Sequence, residues 1–376
     1  MPLLYFYLHY QKLQTRLLTH LADCGNIKVE IQKGDLYMKK LLALILIFVL
    51  SVSVSGCFLF SDAYDFSYVS AENYKSGNGE IADASDLKNI HLRWFAGNVT
   101  IKTHDKPSLL IEETTVGVTD DAHKVHYWYS TNATGDDGTL FVEFGKSGES
   151  SFDGMQKDLT ITLPENDNYY LGITSDSANV SIDLDDYKNT LRELTVTTNT
   201  GAVQANISSA STVQIAGYNN DEDSADQRVY ELNALGKIYS LGMNSSYAKV
   251  IINAHEVGTM GSVGSVFNET RFTVEKANVV KLSCTKGVSY IDVQQFNSME
   301  LEMREKPVYI TLPADCEFTL NKTKEKVFDG EEDMVSDLID ISFENVTKLS
   351  DTKYTVGSGE KAINIITYNE IHIGHR

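Results

Sequence analysis

Ala178-Asn179-Val180-Ser181-Ile182 opens a segment in which small polar residues lead, again and again, into a short Val-centred strand. The pattern returns as Thr200-Gly201-Ala202-Val203, Gly264-Ser265-Val266, Lys286-Gly287-Val288 and Glu305-Lys306-Pro307-Val308. The steps from Val180 to Val203, Val266 to Val288 and Val288 to Val308 are each about 20–23 residues, within the range of stacked repeats. Intervening strands at Leu194 to Thr198, Val213 to Ala216 and Val250 to Ile252 fill out each unit. Such units stack ~4.8 Å apart, burying one row of Val, Ile and Leu while the other face carries Asp, Thr and Ser. A sandwich would also place turns every ~10 residues, so that architecture stays open beside the favoured solenoid.

Working outward from the repeat, the preceding residues read as separate strands. Ile90-His91-Leu92-Arg93-Trp94 leads through Ala96-Gly97-Asn98 to Val99-Thr100-Ile101-Lys102, with Gly-Asn supplying the positive-φ geometry of a tight turn. Leu109 to Thr115, Val125 to Ser130, Leu140 to Phe144 and Leu159 to Leu163 follow, and in the last two every second residue is apolar. Pro164 ends that strand, and Ile161-Thr162-Leu163-Pro164 recurs as Ile310-Thr311-Leu312-Pro313, a sign of internal duplication. Downstream, Tyr218 to Arg228 reads as an exposed acidic loop. Met334, Val335, Leu338 and Ile339 have helical spacing behind Glu331-Glu332-Asp333, which favours a helix N-terminus. The chain ends with Ile363-Asn364-Ile365, a turn at Tyr368-Asn369-Glu370, and Ile371-His372-Ile373. The expected fold is all-β: an antiparallel region over residues 86–175, a β-solenoid or β-helix-like body over 176–376, and at most one short covering helix.

Upstream, Lys39 and Lys40 precede an apolar run from Leu41 to Val54, closed by Val54-Ser55-Gly56-Cys57. This is the three-part pattern of a secretory signal, and a run of ~14 residues is shorter than the ~20 that span a bilayer. The tetrapeptide resembles the lipobox of bacterial lipoproteins. That resemblance implies that Val54, Ser55 and Gly56 are removed and that the Cys57 sulfur carries diacylglycerol. Residues 38–56 are then the signal peptide. Residues 57–85, mostly Ser, Asp, Asn, Gly, Ala and Tyr, are expected to be a flexible tether. Lys33-Gly34-Asp35 can be encoded by a purine-rich AAGGAGA run just ahead of the Met38 codon, so residues 1–37 are expected to be untranslated upstream sequence.

The chain carries 52 Asp and Glu against 32 Lys and Arg, a net charge of −20 over 376 residues. Its segment through Cys57 is net basic, so the body beyond is more acidic still. Such a field opposes nucleic acid, anionic lipid and anionic cell wall and favours a neutral or cationic partner, although surface solvation alone also accounts for it. Cys284 and Cys316 are the thiols of the body; a bridge between them stays open beside the favoured reading of two buried small hydrophobes.

Candidate chemistry is sparse. Asp183 and Asp185 fall on one strand face about 7 Å apart, overlapping the carboxylate separation of inverting glycosidases, with a solvated acidic face as the alternative. His123 and His126, like His372 and His375, are three apart on strands and point to opposite faces, so no metal site is expected. Asn219, Asp221 and Asp223 have the spacing that starts a calcium loop, but Ser224 replaces its turn glycine and Glu231 comes one place late. Gly258, Gly261 and Gly264 lack the lysine of a phosphate loop, and no Gly-x-Ser-x-Gly elbow is present. No cofactor is expected. The best binding candidate is Tyr127-Trp128-Tyr129, where Tyr127 and Tyr129 share the core face with Val125 and leave Trp128 with His126 on the other, either exposed for a sugar or an apolar partner or, the favoured reading, buried under a second layer.

The opening Leu92-Arg93-Trp94-Phe95-Ala96-Gly97-Asn98-Val99-Thr100-Ile101, the mid-chain Val196-Thr197-Thr198-Asn199-Thr200-Gly201-Ala202-Val203 and the closing Gly357-Ser358-Gly359 resemble a bacterial adhesin-like domain family of unknown function, over roughly Leu87 to Ile373. The last turn departs from its pattern, with Asn369-Glu370 where glycine is usual, as does the insertion at Asp221. The resemblance implies a β-solenoid-like fold behind a lipoprotein signal or membrane segment, with no catalytic residues to carry over. Together these readings lead to a lipid-anchored protein on the extracytoplasmic face of the cell membrane. It would bind or scaffold a surface glycan or protein, without nucleic acid and without catalysis. The alternatives are a carbohydrate-active enzyme using Asp183 and Asp185, or an envelope sensor acting with a membrane partner.

Overall fold

A computed structural model describes residues 66–115, 120–130, 138–149, 152, 154–165, 168–217, 228–323 and 338–376. The signal, the lipobox Val54, Ser55 and Gly56 with Cys57, the calcium-like residues Asn219, Asp221 and Asp223, and the start of the expected covering helix lie outside these residues. The described residues are nearly all strand, interrupted by single 3-10 turns at Ala71–Asn73 and Asp121–His123. None of their helices is long and apolar enough to cross a membrane.

The strands make one sheet of twenty and one of six, and neither closes on itself. Most pairing is parallel and in register. In the larger sheet Ile161, Ile101, Ile182, Ala205, Leu232, Ile252, Phe272, Ile291, Ile310 and Ile373 follow one another as direct neighbours across successive strands. All ten are buried. A second row, Leu140, Ile90, Leu171, Leu194, Val213 and Leu241, runs through the alternate strands of the chain. The two rows belong to one core, where each buried aliphatic side chain contributes roughly 1.5–3 kcal/mol. Val229–Ser245 and Lys249–Ser265, 17 residues each, take part in both rows, and a register shift between Ala234 and Lys237 marks the crossing. The smaller sheet continues with Val279–Cys284, Ser298–Met303, Lys361–Ile366 and Phe318–Thr323, and ends in the antiparallel strands Lys353–Val356 and Val346–Ser350.

The duplicated tetrapeptides occupy equivalent places, because Ile161 and Ile310 stand in the same row. Val180 and Val203 are direct neighbours, as their spacing anticipates. The later steps are out of register. Val308 pairs with Ser289 rather than Val288, and Val266 lies past its strand end, 38% exposed. A small residue followed by Val marks both turns and strand starts, so the pattern slipped by one residue. The closer marker of the period is a set of buried hydroxyls that hold the turns. Ser175 Oγ donates to the Ala178 carbonyl (2.9 Å), while Thr198 Oγ1 accepts from Gly201 N (2.9 Å) and Ser245 Oγ from Ala248 N (2.7 Å). Cys284 takes the same part, its Sγ donating to the Gly287 carbonyl at 3.2 Å. Both Cys284 and Cys316 are buried and unpaired. On the outer face the amides of Asn206, Asn233 and Asn253 hydrogen-bond in a ladder at 2.9 Å, pinning the register.

The region 86–175 is mixed rather than antiparallel. Leu109–Thr114 and His126–Ser130 run antiparallel to their neighbours, but Leu87–Trp94 and Gly97–His104 are already parallel members of the long sheet. No boundary falls at residue 175, since Tyr170–Ser175 pairs with strands on both sides of it. Residues 66–85 also belong to the folded body rather than to a tether. Phe66, 6% exposed, packs edge-on against Phe144 and Phe152, and Gly79–Ile81 pairs with Leu109–Thr114. Their polar composition hid this, because one buried ring and five paired residues, Lys75, Ser76 and Gly79–Ile81, dock them.

Gly97 is the turn residue its sequence promises. Its φ is +102°, and an added Cβ would lie 2.1 Å from the Lys157 carbonyl oxygen. Gly97→Ala is therefore expected to lower stability by roughly 1–3 kcal/mol, read as a fall in the urea midpoint. A midpoint equal to that of the natural protein would refute this account of the turn.

Candidate functional site

Trp128 stands on His126–Ser130, directly opposite Phe141 of the antiparallel Gly138–Glu143. Phe141 is in turn the parallel neighbour of His91, and His91 of Gly172. This pairing makes a row of rings on the outer face. Phe141 stacks against Trp128 (5.4 Å between centroids, 20° between planes) and against His91 (5.4 Å, 17°). His91 meets Tyr170 at 5.3 Å, with the Arg192 guanidinium 5.7 Å from the Tyr170 ring. At the other end Tyr74 lies 5.9 Å from Trp128 and 4.4 Å from Tyr68. His91 is exposed and the other rings are half-buried. Beyond the row the register continues through Gly172, Thr195, Gln214 and Gly242, a lane of small and polar residues.

His126 does not share that face as a ligand contact. It is 8% exposed, and its Nδ1 lies 2.9 Å from the Lys124 carbonyl. Burial lowers its pKa and keeps the ring neutral. Alternation was a poor guide here because the strand starts at His126, whose ring turns back onto the Lys124 carbonyl. The residues the sequence did not nominate, Phe141, His91 and Tyr170, come from three different strands. Their signal was present as an aromatic ring at the polar position of an alternating strand, but neighbourhood among them exists only through the pairing.

Two ion pairs underlie the row. Arg93 Nε meets Glu143 Oε2 at 2.7 Å, and the same guanidinium donates from Nη2 to the Ser67 carbonyl (3.1 Å) and covers the Phe66 ring at 4.3 Å. Burial raises the Glu143 pKa to about 7, with Arg93 opposing only part of the rise. Burial likewise lifts the Tyr68 hydroxyl to about 12 and raises that of Tyr74, so both rings stay neutral. Deeper in the core, the Lys157 ammonium is fully buried 3.0 Å from Glu113 Oε1.

Asp183 and Asp185 are both exposed, on either side of the buried Leu184. Asp183 lies on the strand Asn179–Leu184, exposed, between Lys102 and Asn206 of the flanking strands. Asp185 is past the strand end, in a turn, where strand alternation no longer applies. Among the described residues no group of three or more His, Cys, Asp and Glu is arranged to hold a metal ion.

No family model and no curated protein matches the chain. Among the solved structures similar to it are two from bacteria. One is a candidate cell adhesion protein of Clostridium sporogenes, 12% identical with a TM-score of 0.20; the other is a candidate adhesin of Bacteroides fragilis, 12% identical with a TM-score of 0.28. Each alignment covers 80% of this chain and 97% of the other.

Proposed function

We propose that the protein is a lipid-anchored, adhesin-like binding or scaffolding module on the extracytoplasmic face of the cell membrane, with no chemistry of its own and with its paired strands forming an open β-solenoid. The observation that carries the binding reading is the row from Tyr74 through Trp128, Phe141 and His91 to Tyr170, which gives way along its register to Gly172, Thr195, Gln214 and Gly242. Contiguous rings on a rigid sheet offer a neutral glycan or an apolar protein patch a large contact area at little entropic cost. The acidic body disfavours nucleic acid and other polyanions. Glycan cleavage by Asp183 and Asp185 is the weaker reading, because Asp183 is on the strand Asn179–Leu184 and Asp185 is in the turn that follows it.

Trp128→Ala is expected to weaken binding to the protein's surface ligand roughly tenfold, the combined loss of ring area and ring stacking. A glycan array and a cell-adhesion assay with the full chain would read it. Unchanged binding in both Trp128→Ala and Phe141→Ala would refute the row as the site. The anchor is tested separately: Cys57→Ala is expected to move the protein from the membrane fraction to the soluble one and to abolish incorporation of labelled palmitate. Retention in the membrane would refute it.

A further inference from the structure

A second outer-face constellation lies far along the chain from the Trp128 row and shares no residue with it. Tyr290 and Tyr309 are direct neighbours, 38% and 37% exposed, their rings nearly parallel at 5.2 Å. The Arg271 guanidinium closes one end of this pair at 4.8 Å and His372 stacks on the other at 4.9 Å. Two residues further along the same strands, Thr273, Asp292, Thr311 and Gly374 form the adjoining outward row. Asp292 is the anomaly in it. One carboxylate oxygen, Oδ2, is bound by Arg376, while Oδ1 is buried without a hydrogen-bond partner among the described residues. An unmatched carboxylate oxygen is costly.

Beside this row lies a groove of about 1050 Å³ that runs past Asn233, Asn253 and Thr273 to Gln294 and Arg376. With the Gln294 amide oriented to suit its neighbour, Oε1 accepts from the Arg376 guanidinium at 2.7–3.1 Å, which makes Nε2 the donor end. Gly374 leaves the other side open, since an added Cβ there would meet nothing within 4 Å.

We infer that this strip is a second binding site, for a neutral sugar unit. The Tyr290–Tyr309 pair supplies the apolar wall. Thr273, Thr311 and the Gln294 amide supply hydroxyl and amide partners, and a sugar hydroxyl becomes the missing donor to Asp292 Oδ1 while Arg376 keeps Oδ2. A neutral polyol fits better than a cation, because one carboxylate already paired with a guanidinium is a poor cation site. It also fits better than an anion, which the net charge of −20 repels. The mixture of a few convergent polar groups with an aromatic wall is typical of small-ligand sites.

The test is calorimetric titration of the full chain with maltohexaose, cellohexaose and mannohexaose, and with calcium alone. Gly374→Trp starts from a position where an added Cβ meets nothing within 4 Å and puts a large ring into the strip; it is expected to weaken binding of the preferred oligosaccharide at least roughly tenfold, as is Tyr309→Ala. Trp128→Ala is expected to leave this site intact. Binding that survives Gly374→Trp unchanged but is lost in Trp128→Ala overturns the inference while sparing the Trp128 row. No binding of any of the three oligosaccharides overturns it as well, and calcium binding that is lost in Asp292→Asn would overturn it in favour of a cation site.

Discussion

Lys157→Ala is expected to cost the folded protein roughly 3–5 kcal/mol, the effect of leaving one member of a buried ion pair without its counter-charge. The Lys157 side chain is wholly buried and that of Glu113 nearly so. Its ammonium has three donors and meets three acceptors: Glu113 Oε1 at 3.0 Å, the His123 carbonyl at 2.8 Å and the Phe144 carbonyl. The Phe144 and Trp94 rings lie 4.2 and 4.9 Å from it. Burial lowers the Lys157 pKa to about 8, with Glu113 holding it up, so the group is still charged at neutral pH. Alanine removes the cation and leaves the Glu113 carboxylate with only the Thr115 hydroxyl and the Val125 amide. Urea unfolding should therefore show a large drop, and the double variant Lys157→Met with Glu113→Leu should recover much of it, because a packed apolar pair avoids both desolvation costs. A loss below ~1 kcal/mol, the level of an exposed pair, would show that the pair holds nothing together.

This pair joins parts of the chain that no local pattern connects, which illustrates what the sequence could convey. Strand identity was legible because alternation is local: Leu159, Ile161 and Leu163 announce Lys157–Pro164, and Ile363 and Ile365 announce Lys361–Ile366. The repeat was legible where the spacing between small residue and Val is regular, at Val180 and Val203. It failed at Val266 and Val288, where turns mimic strand starts, and the buried hydroxyls of Ser175, Thr198 and Ser245 were a better ruler than valine. Buried charges were not legible at all. Lys157 and Glu113 look like surface residues on alternating strands, and only the arrival of the His123 and Phe144 carbonyls over the ammonium shows them to be interior. Asp183 and Asp185 were legible only as exposed positions, since two-residue spacing implies a shared face only while the strand lasts, and it ends at Leu184. Trp128 was found from its own strand, but the row that gives it meaning needed the pairing of four strands.

Glu143 gives the body a second large and opposite electrostatic signature, visible as a pH dependence. Its folded-state pKa is about 7, above the usual 4.5, because burial penalises the carboxylate more than Arg93 rewards it. The folded state therefore binds this proton more tightly than the unfolded chain does. The resulting stabilisation is fully present below about pH 4.5 and is lost as pH rises through about 7, a fall of roughly 3 kcal/mol. Exposed carboxylates such as Glu256 and Glu317, whose pKa values are lowered by Lys237 and Ser358, act in the other direction but weakly. Glu143→Gln keeps an acceptor for Arg93 and removes the titration, so the difference between the two proteins isolates this group. The natural protein should lose stability relative to Glu143→Gln between pH 4.5 and 7 in parallel urea series, and equal slopes would refute the assignment. The consequence reaches the outer face, because Arg93 also holds the Ser67 carbonyl and the Phe66 ring, at the start of the segment that brings Tyr68 and Tyr74 to the aromatic row. Protonating Glu143 removes that clamp's charge pairing and leaves Arg93 its contacts with the Ser67 carbonyl and the Phe66 ring. Ligand binding through Trp128 should then be more sensitive to pH near 7 than a row of uncharged rings would be by itself.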